Sequence, residues 1–159
     1  MAVYLSFHYD RDAWRAQQIL NMGALENQTI LTAQAWEEVK RKGDQAIKNW
    51  IADEMAYKTA VVVLIGAQTA SRPWVLYEIE KAWNDKRGLV GVRIHGLANN
   101  NGKTDSAGAN PFEKIKLSNG KTIGDYVPVY APAGTDSKAV HASIVTNLTS
   151  WVANAYKRS

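Results

Sequence analysis

The sequence of 159 residues contains no cysteine, and that absence removes disulfides, thiolate nucleophiles and sulfur-ligated zinc from consideration. No run of about 18 apolar residues occurs, so no membrane-spanning helix is expected. The N-terminus enters an alternating apolar stretch, AVYLSFHY, without a basic region or a small-residue cleavage site. On that ground no secretory leader is expected, and the expected compartment is the cytoplasm.

Several site signatures are missing as well. No G-x-G-x-x-G follows the first predicted strand and no G-x-x-x-x-G-K-[ST] occurs, which argues against Rossmann-type redox chemistry and P-loop phosphate binding. A G-x-S-x-G nucleophile elbow is absent. A phospho-receiver would carry an acid where the third predicted strand ends, and Ile65, Gly66 and Ala67 stand there instead. His8, His95 and His141 lie far apart without ligand spacing, so no metal site is expected. The formal charge of +4 is mild. Its cations fall in short groups, Lys40 to Lys42, Lys86 with Arg87, and Lys157 with Arg158, which read as solvated helix ends rather than a phosphate-tracking stripe. No nucleic-acid partner is expected, although a small anionic ligand would be welcome.

What is present alternates between strand and helix patterns. AVYLSFH reads as a strand, followed by a rough helical stripe through Ala13, Ile19 and Leu20 that ends near Gly23. QTILTA, residues 28–33, reads as a short second strand. Asp44 opens or caps a helix whose Ile47, Trp50, Ile51 and Met55 recur at three- and four-residue spacing. AVVVLIG, residues 60–66, is an unbroken apolar run of the kind that fills a central parallel strand covered on both faces. A helix, a strand in GLVGVRIHG, a long polar loop over 97–112, an Asn119-Gly120 turn, a proline-broken edge strand and a final helix from about Asp136 to Lys157 complete the chain. The long loop reads equally as a lid, a partner surface or a plain insertion. The pattern predicts one α/β domain over residues 1–159, an open, mainly parallel sheet with helices on both faces, with ligands binding beyond the carboxyl ends of the strands.

The segment SRPWVLYEIEKAW, residues 71–83, carries the chemistry. Ser71 is the expected N-cap, and Pro73 suits the first turn. At about 100° per residue, Val75, Ile79, Ala82 and Trp83 share one face, and Glu78 lies nearly a quarter turn from its centre. Trp74 stands one turn earlier on the same side, so indole and carboxylate can line one wall of a pocket. The alternative is an exposed Glu78 loosely paired with Lys81.

Four segments in order, LSFHYDRD, AWEEVKRKGDQAIKNWI, VVVLIGAQTASRPWVLYEIEKA and GANPFEKI, resemble the TIR-like proteins of Thoeris antiphage systems over roughly residues 1–115. The resemblance implies a flavodoxin-like TIR fold. It also implies cleavage of the nicotinamide–ribose bond of NAD, with closure of the ADP-ribose moiety into a cyclic isomer that signals to a separate effector. NAD is then a substrate, and no resident cofactor is implied. The family's essential glutamate falls on Glu78 and its helix aromatic on Trp74. Phe7 and His8 fall near the nucleotide, and Trp36 on a loop that borders the site and takes part in assembly. An unknown viral trigger and homo-oligomerisation on activation belong to the same expectation. Two other readings stay open: a non-catalytic scaffold of the same fold, acting by homotypic or partner assembly, and a flavodoxin-like nucleotide-binding module.

Overall fold

The computed structural model describes residues 2–26, 30 and 33–159. The predicted second strand over 28–33 lies outside the described residues except for Ile30 and Ala33, and Ala33 opens a helix. In chain order the elements are β1 (Val3–Ser6), α1 (Tyr9–Asn21), α2 (Ala33–Arg41), α3 (Asp44–Met55), β2 (Ala60–Ile65), α4 (Pro73–Asn84), β3 (Gly88–Arg93), β4 (Val129–Tyr130) and α5 (Ser137–Ala153). Among the described residues the strands form one sheet in the order β1-β2-β3-β4, every pairing parallel. Val3 pairs with Ala60 and Ser6 with Val63, and Ala60 to Ile65 pair in turn with Gly88 to Arg93. This is the expected open α/β sheet of the flavodoxin-like kind.

Side chains of a strand alternate between its two faces, and the core divides accordingly. Val3, Leu5, Val62, Leu64, Val90 and Val92 point to one face, where Ile19 and Leu20 of α1 and Val140, Ile144 and Leu148 of α5 cover them. Tyr4, Val61, Val63, Ile65 and Leu89 point to the other, against Ile47, Ile51 and Met55 of α3 and Val75 and Ile79 of α4. All six residues of β2 are buried, which is why its sequence shows no polar alternation. Each such Val, Leu or Ile stabilises the fold by about 1.5–3 kcal/mol relative to an exposed position.

The start of α4 departs from the sequence reading. Arg72, not Ser71, is the N-cap, with φ −91° and ψ 115°. The ring of Pro73 clashes with a helical conformation at the residue before it, so Arg72 is held extended and the helix begins at the proline. Ser71 belongs to the preceding 3₁₀ turn, where its hydroxyl donates to the Gln68 carbonyl at 2.9 Å.

The polar loop after β3 is tied down by buried charge. Arg15 of α1, fully buried, donates to the carbonyls of Leu97 at 2.7 Å and Lys103 at 3.0 Å, and pairs with Asp12 at 2.8 Å and Asp105 at 3.1 Å. Arg93 donates to the Gly108 carbonyl at 2.7 Å. The loop passes so close to the end of β2 that a Cβ on Gly108 would lie 2.5 Å from the Gly66 carbonyl oxygen. Further on, Gly120 takes the left-handed conformation at φ +86°, and the Asn119 carboxamide oxygen accepts from the Lys121 amide at 3.0 Å, forming the expected turn. Among the described residues no helix is long and apolar enough to cross a membrane.

Candidate active site

Tyr4 and Ser6 stand two residues apart on β1 and so leave the sheet on the same face, the one that α4 covers. Glu78 of α4 reaches both. Its Oε2 accepts from the Tyr4 phenol and its Oε1 accepts from Ser6 Oγ at 2.8 Å. The residue is only 7% exposed. Burial pushes its carboxyl pKa from the ordinary 4.5 up to about 7, against the pull of the two hydroxyl donors, which favour the ionised form. The Tyr4 phenol is raised well above its usual value, by burial first and by the charge of Glu78 second. Lys81, the partner in the alternative reading, instead bonds Asp85 at 2.8 Å. The helical wheel placed Glu78 on the border of core and solvent. Two hydroxyls across the sheet surface give it partners inside.

Glu78 lies in a cleft with a cavity volume of about 140 Å³, bordered by the segment leaving β1 and the first turn of α4. One wall is a run of rings. Phe7 stacks on Tyr9 with centroids 5.7 Å apart, Tyr9 meets Trp36 at 5.8 Å, and Trp36 meets Trp50 at 5.8 Å. Trp74 lines the same cleft and sits edge-on to Tyr77 at 5.5 Å. His8 is buried there with no hydrogen-bond partner for Nδ1. Burial, and then the Arg72 guanidinium, lower its pKa, so the imidazole is neutral near pH 7. Asp10, Lys40, Glu54 and Arg72 bring charge of both signs to the lining. Flat rings beside a buried carboxylate suit a ligand that pairs an aromatic base with a developing positive charge.

The family model for the TIR-like domain of the Thoeris protein ThsB matches residues 4–99. The chain belongs to this ThsB TIR-like family. A relative from Bacillus cereus (strain MSX-D12), provisionally named cyclic ADP-D-ribose synthase ThsB1, is 33% identical over 132 residues, covering 78% of this chain and 69% of that protein.

In this ThsB TIR-like domain Phe7, His8, Trp36, Trp74 and Glu78, the residues singled out from the sequence, all line the one cleft. Trp36 does so from α2, not from a loop: Ala33–Arg41 is helical, and the indole packs inward on Tyr9 and Trp50 with the Lys40 ammonium 5.7 Å from its ring centroid. Tyr4, Tyr9, Trp50 and Arg72 were not singled out. The signal for Tyr4 was available, since an alternating strand puts it on the face of Ser6. Tyr9 and Trp50 carried no more than a core or surface pattern.

Proposed function

We propose that this ThsB-family chain cleaves NAD at the nicotinamide–ribose bond and closes the remaining ADP-ribose into a cyclic isomer. The observation that carries the reading is the buried Glu78 carboxyl, gripped by Tyr4 and Ser6 in an aromatic-walled cleft. As the C–N bond breaks, its electron pair passes to the nicotinamide nitrogen, and the cationic ring leaves neutral. The leaving group therefore needs no proton and no second carboxyl. The ribose is left with oxocarbenium character, which a fixed carboxylate close by stabilises. Glu78 fills that role. Phe7 and Trp74 offer faces for the nicotinamide and adenine rings, and His8 and Trp36 complete the walls. Folding the dinucleotide between such walls brings a nucleophile of its own ADP portion to the anomeric carbon and keeps water away.

The scaffold reading requires Trp74 and Glu78 exposed with no cavity beside them. Glu78 is buried and both border a cleft, which favours the enzyme. In the same proposal the product diffuses through the cytoplasm to a separate effector, a viral component triggers the reaction, and copies of the chain associate on activation. The test is mass-resolved analysis of NAD incubated with the protein at rising concentration, beside Glu78→Gln. Nicotinamide release with a product lighter than ADP-ribose by one water supports the reading. Equal turnover by Glu78→Gln removes Glu78 from it.

A further inference from the structure

Glu78 faces an unusual balance of forces. Glu78 is buried and shares its cleft with Tyr4, Ile51 and Val75, and that burial favours the neutral acid. Cation stabilisation needs the opposite, an ionised group at neutral pH. Other titratable or charged groups surround the cleft: Tyr4 and His8 on or just after β1, Tyr9 and Asp10 on α1, Lys40 on α2, Glu54 on α3 and Arg72 at the head of α4. None of them but Tyr4 bonds the carboxyl. Lys40 pairs instead with Glu37 at 2.7 Å. Compensation for burying the charge therefore comes from two hydroxyls, one on each oxygen.

We infer that Tyr4 is a positioning residue for the ribosyl-transfer step, its phenol holding Glu78 ionised and aimed while Ser6 holds the other oxygen. The geometry supports this in three ways. The phenol is buried and, among the described residues, its hydrogen bond goes to Glu78, while its ring is held in the core packed on that face. Donors on both oxygens stop the carboxyl group from rotating about its terminal bond. Both hydroxyls donate to the carboxyl oxygens, and such bonds are stronger to a carboxylate than to a neutral acid, so the pair favours the charged form. Tyr4 also sits in β1, between Val3 and Leu5 whose side chains anchor the opposite face, which makes it a rigid support.

The inference rests on the proposed NAD chemistry, and its test has an arm that does not. Tyr4→Phe keeps the ring and its packing and removes only the donor. In that variant the acid limb of the pH profile of kcat for nicotinamide release is expected to move up by about one pH unit, because a hydrogen bond favouring the ionised form is gone. The loss should be about tenfold near pH 6.5 and shrink as the pH rises toward 9. Ser6→Ala, which is smaller and cannot clash, should move the limb in the same direction. In parallel, the Glu78 carboxyl is titrated directly by carbon-detected NMR in ligand-free wild type and in both variants, and its midpoint should rise by a like amount. An unchanged NMR midpoint in both variants overturns the inference, as does a loss of kcat equal at every pH. A wild type that cleaves no NAD sinks the proposed function, while the NMR arm still decides what Tyr4 does.

Discussion

Replacing Glu78 with glutamine should make the protein more stable while abolishing its chemistry. The carboxyl holds its proton until about pH 7 in the fold but only until 4.5 in the open chain. The folded state therefore binds the proton more tightly, and wild-type stability falls as pH rises from 4.5 to about 7 and is level above that. At roughly 1.4 kcal/mol per pH unit the fold gives up about 3 kcal/mol by pH 8.5. Glutamine has no charge to bury. Its carbonyl oxygen can accept from Tyr4, and its amide can donate to the Ser6 oxygen. Glu78→Gln should match wild type near pH 4.5 and exceed it by about 3 kcal/mol at pH 8.5, a rise in Tm of roughly 6–12 °C for a chain of this length. Urea titrations and thermal melts across that range, followed by tryptophan fluorescence, provide the measurement. If the gap between the two proteins does not widen with pH, the carboxyl is not being ionised against its surroundings, and the account of the site is wrong.

Two further outcomes follow from the loop anchorage. Arg15→Ala leaves Asp12 buried without its cation and frees the Leu97 and Lys103 carbonyls, so a loss of about 3–5 kcal/mol in urea unfolding is expected, with faster proteolysis within residues 97–110. A loss under about 1 kcal/mol would show that the network is replaceable. Gly66→Ala would set a Cβ 2.3 Å from Asp12 Oδ2, and Arg15 holds that carboxylate in place. It should cost about 1–3 kcal/mol by the same measurement, and a neutral effect would mean that Asp12 yields freely.

The layered sheet was legible in the sequence because burial on both faces writes itself into composition. The run from Ala60 to Ile65 reads as apolar throughout, and Val140, Ile144, Leu148 and Val152 mark the inner face of α5 at helical spacing. That Glu78 shares a cleft wall with Trp74 was legible from their spacing and the family resemblance, but its degree of burial was not. That depends on Tyr4, 74 positions away, and no local periodicity carries such a contact. The start of α4 was misplaced by one residue because a serine hydroxyl suggests a cap, whereas the proline ring decided the geometry. The polar loop looked unanchored because its composition is that of a solvated segment. The groups that fix it are an arginine on α1, 82 positions before Leu97, and another at the end of β3.

Every described residue lining the cleft falls between Tyr4 and Glu78, so the first half of the chain supplies its described walls. From Gly88 onward the polypeptide acts as a buttress: β3 and β4 extend the sheet, and α5 backs it from the side away from Glu78. This division of labour gives an engineer a free hand at the far end. A reporter peptide spliced into the exposed Asn119-Gly120 turn would ride on the buttress and leave the cleft walls untouched.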